Sequence, residues 1–223
     1  MSDKPASPNP RARILDVATE LFASYGYEGV TVRQVTKAAG VNLAAINYHF
    51  GGKRGLFHEV IRQKIRPLNQ LRMGQLELAL GGTVGPAGLD RMLELLVGPI
   101  LETQRAAGEA GTATLRLFAR CMADPGLRAL DRELAEEMQS CLARFAGAIR
   151  RHAPGLPPEE FLWRLSFVVG ALQHGLANLH QMSGLTRGIC RDGDLDGLLQ
   201  HFVASAADVF RAPPRPRPSG ANV

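Results

Sequence analysis

The eight residues from Leu43 to Phe50, LAAINYHF, carry the chain's most distinctive side-chain chemistry. At helical spacing, Leu43, Ile46 and Phe50 form an inward face, and Ala44, Ala45, Asn47, Tyr48 and His49 fall opposite. Small leading residues let such a helix sit deep in a major groove. An amide, a phenol and an imidazole behind them can reach base edges and phosphates. Lys53, at the start of the next expected helix, is a candidate phosphate contact.

Other chemistry has less support. GxSxG, P-loop and HExxH patterns are absent, and His49, His58, His152, His174, His180 and His201 form no local ligand cluster. Asp192, Asp194 and Asp196 imitate the opening of a calcium loop. The bidentate acid that should close it is replaced by Val203, so these acids are expected to cap the helix that follows. Cys121, Cys141 and Cys190 are widely spaced with no CxxC pair, which argues against a disulfide framework or a zinc knuckle. A small buried hydrophobe is the expected role of each, with a redox thiol as the alternative. No metal or cofactor is expected. An enzyme survives only as distant residues meeting in space.

The elements that must position Leu43 to Phe50 are marked by local signals. Asn42 can cap that helix, and Gly40 is the residue expected just past the end of the one before it. Thr31 and Gln34 fit a capping box, so the earlier helix spans Val32 to Ala39. Together these predict a helix-turn-helix with its recognition helix second. Upstream, Asn9 and Pro10 open a helix with Ile14, Leu15, Ala18, Leu21 and Phe22 on one face, ended by Gly26. Arg11 and Arg13 stand in its first turn, where positive charge opposes the helix dipole unless an anion lies near. Tyr25 and Tyr27 are expected to pack the corner. Pro67 predicts a kink or break in the helix that follows Lys53.

The order of a capped short helix, AAGV, Asn, recognition helix, Tyr-His-Phe and GGKRGLF, preceded by AxxLFASYGYEGVTV, resembles the TetR family of bacterial transcriptional regulators over residues 11 to 62. The resemblance implies an all-α fold and a homodimer that places each recognition helix in one half-site of a double-stranded DNA operator. It implies phosphate contacts from Thr31, Arg33, Tyr48, His49 and Lys53, base approach by Ala44, Ala45 and Asn47, and a C-terminal domain that binds a small effector. Charge placement agrees. Residues 1–66 hold ten Lys or Arg against five acids, while residues 67–211 hold fourteen against sixteen, within a net +5.

The expected organisation is a flexible N-terminus (1–8), the helix-turn-helix domain (9–52), a linking helix (53–80), an effector-binding and dimerisation domain (81–211) and a disordered Pro-rich tail (212–223). Helix breaks are expected at GGTVGPAG, AAGEAGT, Asp124-Pro125, HAPGLPPEE and SGLTRGICRDGD. The stretches Glu159 to Met182 and Leu195 to Phe210 are apolar around most of their circumference, which suits a helical dimer interface or the centre of one subunit's core. Gly170, Ala171, Gly175 and Ala177 would permit close approach there.

Residues 112–212 also resemble the PsrA-type branch of the family, which responds to long acyl chains, through RLFAR, FxxRFxxAI and FLWRLSFVVGALQH. That implies an apolar tunnel and a fatty acid or acyl thioester as effector. Arg116 and Arg120 stand one turn apart, and Gln173, His174 and Asn178 share a sector. Arg120 and His174 are the candidates for orienting a ligand, against the alternative of satisfied interhelical hydrogen bonds. No stretch has the length of a membrane span and the N-terminus lacks a signal-peptide core, so a cytoplasmic protein is expected. The rival classes are a helical enzyme and a DNA-architectural protein without effector.

Overall fold

The computed structural model describes residues 9–81 and 88–215, and among them every regular element is helical. The expectations for 1–8, for most of GGTVGPAG and for the tail beyond Arg215 lie outside the described residues. Helix α1 (Pro10–Tyr25) begins where Asn9 accepts the Arg11 N–H and ends at Gly26. In α2 (Val32–Ala39) the capping box closes reciprocally: Gln34 N donates to Thr31 Oγ1 at 3.3 Å, and Thr31 N donates to Gln34 Oε1 at 2.7 Å. Gly40, at φ 62°, makes the left-handed turn that a Cβ would strain. Asn42 then caps α3 (Leu43–Phe50) by accepting the Ala45 N–H at 2.9 Å.

Helix α4 (Lys53–Val60) packs back on α1 and α3. Its approach requires Gly55, where an added Cβ would lie 1.7 Å from the Phe50 carbonyl oxygen. Phe22 and Tyr27 stack at 6.0 Å and Phe57 meets both edge-on at 5.3 Å, closing this small core. Tyr25 points to solvent instead of packing the corner.

The expected disturbance at Pro67 takes the form of a π-helical segment, Ile61–Ile65, leading without a break into α5 (Arg66–Gly81). Proline has no N–H and crowds the carbonyl four residues earlier. The wider π turn accommodates both. The chain therefore runs as one rod from Lys53 to Gly81.

The larger domain contains α6 (Leu89–Ala107), α7 (Glu109–Ala123), α8 (Pro125–Leu130), α9 (Arg132–Arg150), α10 (Pro158–Asn178), a 3₁₀ turn (Leu179–Gln181), α11 (Met182–Leu185) and α12 (Leu195–Arg211). The AAGEAGT break contracts to Gly108 alone. Helix α7 packs against α1, α6 and α10, and α12 packs against α6 and α10. Asp194 caps α12, so the calcium-like acids do take the capping role. No described helix is long and apolar enough to cross a membrane.

Arginines finish several helices by donating to carbonyls that have no partner within the helix. Arg13 Nε donates to Ala39 O at 2.7 Å, Arg120 reaches Ala23 O and Ser24 O at 3.3 and 3.4 Å, and Arg164 donates to Val209 O and Ala212 O at 2.5 and 2.7 Å. Arg164 also pairs with Glu160 at 2.5 Å.

Candidate nucleic-acid interface and effector cavity

Helix α3 is anchored by Ile46 and Phe50, both buried, and its outward face carries Ala44, Asn47, Tyr48 and His49. Tyr48 is 86% exposed, with its ring edge-on to His49 at 5.0 Å. Two expectations change places. Leu43 is 53% exposed, whereas Ala45 is half-buried and packs on the core. A helical side chain leans over the turn before its own Cα, and Leu43, as the first residue, has no such turn to cover. The leading edge of the outward face is therefore Leu43 and Ala44, both apolar. Asn42 is exposed but its side-chain oxygen serves the cap.

The cations around this face divide into committed and available groups. Arg11 pairs with Glu59 and lies 5.5 Å from the Phe50 ring centroid, while Arg13 caps α2. Their position in the first turn of α1 is thus explained by partners within the domain. Glu59 is the hub: its hydrogen bond with Arg62 leads, burial opposes, and Arg11 and Gln63 add to the pull that holds its carboxyl at about 2. Arg33 and Lys37 on α2 are exposed beside Thr31. Lys53 Nζ sits 4.1 Å over the Tyr27 ring centroid, so this candidate is positioned by a cation–π contact at the helix start.

Arg120 and His174 line one open cleft between the end of α1, α7 and α10, together with Arg116, Gln173 and Asn178. Both have partners already. Arg120 caps α1, an interhelical bond of the anticipated kind, whereas the His174 ring Nδ1 lies 3.3 Å from the Asn178 amide one turn on in the same helix. Arg116 meets Glu20 at 3.0 Å, so the cleft is a joint between the two domains. A second joint brings His58 and Arg66 to Asp131, at 2.9 and 3.3 Å. Burial would raise the Asp131 carboxyl, but the Leu134 N–H, His58 and Arg66 outweigh it and hold it below its ordinary value.

Sequence reasoning missed a different cavity, of about 360 Å³, between α5, α6, α7, α9 and α10. Leu96, Met122, Met138, Cys141, Val169 and Leu172 give it mostly apolar walls. Two polar residues of α5 also line it, Asn69 and Arg72, each 4% exposed. Arg72 Nε donates to Leu96 O of α6 at 2.9 Å, and Nη1 donates to Asn69 Oδ1 at 3.1 Å. The guanidinium lies 5.5 and 5.3 Å from the ring centroids of Phe118 and Phe145. Burial pulls its pKa down, and the neighbouring Cys141 thiol acts the other way. The signal was available: Ile65, Leu68, Asn69, Arg72 and Leu76 form one helical stripe, and two of its members are polar.

Part of the molecule's surface is strongly apolar. Leu162, Trp163 and Phe167 of α10 are exposed, with Trp163 stacked on Phe167 at 6.0 Å. Gly170 and Ala171 continue the exposed side of the same helix. Gly175 instead faces α12, where an added Cβ would lie 2.9 Å from Leu198. Of the cysteines, Cys121 and Cys141 are buried as expected, but Cys190 is exposed.

Residues 14–60 match the family model described as bacterial regulatory proteins, tetR family, and residues 94–207 match the tetracyclin repressor-like C-terminal domain. The HTH-type transcriptional repressor AcnR of Corynebacterium glutamicum is 46% identical over 61 residues, a match covering 27% of this chain and 31% of that protein, less than a third of its length. The HTH-type transcriptional regulator BetI of Escherichia coli is 23% identical over 162 residues, 73% of this chain and 79% of that one. Among solved structures, the fatty acid degradation regulator FadR of Bacillus halodurans superposes with a TM-score of 0.57 at 18% identity, covering 95% of this chain and 98% of its own. AmtR of Mycobacterium smegmatis gives 0.55 at 21%, covering 94% and 96%. Likenesses at this identity establish the fold.

Proposed function

The chain belongs to the TetR family of bacterial regulatory proteins, and from that premise we propose a homodimeric repressor that reads a palindromic operator and is released from it by a small hydrophobic effector. The observation that carries the reading is the outward face of α3. A helix capped at its start and anchored by Ile46 and Phe50 presents Ala44, Asn47, Tyr48 and His49 to solvent, with Thr31, Arg33 and Lys53 on neighbouring elements. In this reading Ala44 and Asn47 approach bases. Thr31, Arg33, Tyr48, His49 and Lys53 hold phosphates.

Dimerisation is supported by the exposed Leu162, Trp163 and Phe167, an apolar face that a second copy would cover through α10 and α12. The effector reading rests on the cavity against α5, since its size falls at the lower end of the usual small-molecule range of about 300–1,000 Å³. Occupancy would favour a spacing of the two reading heads that fits the operator poorly.

Selection of bound duplexes from a random pool tests the first step. Two symmetric half-sites are expected, and no preference over scrambled competitor would end the proposal. With the selected operator, Arg33→Ala should weaken all sequences alike and reduce the salt slope by about one, whereas Asn47→Ala should change base preference. Uniform weakening by both would remove Asn47 from readout. Sedimentation of Trp163→Asp should give a monomer, and an unchanged dimer would move the interface elsewhere.

A further inference from the structure

We propose that the cavity against α5 takes an organic carboxylate with an apolar body, its carboxylate held by Arg72 Nη2 and Asn69 Nδ2. This rests on the reading of that cavity as the effector site and adds the chemical class of the ligand. The first observation is a charge left without a counter-ion. Arg72 is 4% exposed, yet among the described residues no carboxylate pairs with it. Its Nε and Nη1 donate to neutral oxygens, and no described residue accepts from Nη2. Arg164 shows how this chain ordinarily buries an arginine: three donor contacts go to carbonyls and Glu160 supplies the opposite charge.

The second observation is independent of charge. Asn69 Nδ2 is buried and has no hydrogen-bond partner, although its Oδ1 is held by Arg72. Buried amide donors are nearly always satisfied, so an orphan beside a cavity marks a missing acceptor. Two donors from adjacent turns of one helix therefore open on the same apolar space. A carboxylate has two oxygens and a full negative charge, which answers both deficits at once.

The walls define the rest of the ligand. Leu96, Met122, Met138, Val169 and Leu172 offer no hydrogen-bonding group to it, and with Gln139 and Gln173 on the remaining lining the body behind the carboxylate is mostly apolar. A thioester answers less well. Its carbonyl is neutral and would leave the guanidinium unbalanced. The ligand class is thus the free acid, with a straight or branched hydrocarbon body.

Isothermal titration of the full-length protein without DNA tests this with straight-chain carboxylates from acetate to dodecanoate and the alcohol of each length. At least one longer carboxylate should bind, about tenfold or more tighter than its alcohol, with acetate far weaker than either. Arg72→Gln should bring acid and alcohol within about twofold, and Ala135→Trp, which fills the cavity from α9, should abolish binding of both. If Arg72→Gln does not fold, Asn69→Leu reads the same headgroup, and the comparison of acid with alcohol on the unaltered chain stands by itself. Equal binding of acid and alcohol would overturn the carboxylate while leaving the cavity as an effector site. Failure of both series would overturn the cavity as well, and an acid preference that survives Arg72→Gln would remove Arg72 from the headgroup.

Discussion

The helix-turn-helix end of the chain and the cavity against α5 treat polar groups and space in opposite ways. Around α1 to α4, Arg13 ends a helix, Glu59 gathers Arg11, Arg62 and Gln63, and Gly55 admits a backbone contact that no other residue would. Around Arg72 a cavity of about 360 Å³ remains beside a guanidinium without a counter-ion and an amide without an acceptor among the described residues. Close packing fixes the presentation of Asn47 and Tyr48. Withheld packing leaves the larger domain with free energy that a ligand can still supply. On the proposed effector reading, the contrast separates a part that must hold one shape from a part whose stability depends on what it holds.

The largest effect that would sharpen this contrast is expected from Gly55→Ala. Its Cβ would meet the Phe50 carbonyl, and overpacking against backbone should cost about 3 kcal/mol in urea unfolding. Acid comes next. The Glu59 carboxyl ordinarily titrates near 4.5 and is held at about 2 in the fold, so its contribution is complete above 4.5 and disappears as pH falls toward 2. Unfolding followed between pH 7 and pH 3 should show that loss, and Glu59→Gln should remove much of the pH dependence. Thr31→Ala, which deletes a cap, should destabilise by about 1 kcal/mol.

The smallest change should come from the most deeply buried cation. Without ligand, Arg72→Met exchanges an unbalanced charge for an apolar chain of similar length and should alter stability by no more than about 1 kcal/mol in either direction. A loss as large as that of Gly55→Ala would break the comparison, because Arg72 would then be structural in the way Arg164 is.

The same division governs what was legible in the sequence. Thr31 and Gln34, Gly40, and Asn42 find their partners within three or four residues, so the bounds 32–39 and 43–50 were readable before any tertiary structure was known. Leu43 and Ala45 were exchanged because periodicity places a residue on a face without saying whether a neighbour covers it. Arg120 and His174 line one cleft, but their partners come from α1 and from the next turn of α10. Arg72 lies on a legible helical stripe in RPLNQLRMGQ, but its burial is imposed by α6, α7 and α9, whose residues lie from Leu96 to Phe145 in the chain. The exposed Trp163 and Phe167, by contrast, were anticipated as part of a helix too apolar for solvent.

The unbroken run from Lys53 through the π turn to Gly81 has a mechanical consequence. Lys53 and Arg72 stand on a single shaft, about 28 Å apart at a rise of 1.5 Å per residue. If the shaft pivots near its cavity end, a tilt of about 5° carries its far tip more than about 2 Å. That is the scale on which a phosphate contact is made or lost. On the proposed effector reading, a molecule bound against α5 would thus be felt at the surface of the double helix through one lever, with no relay of side chains between them.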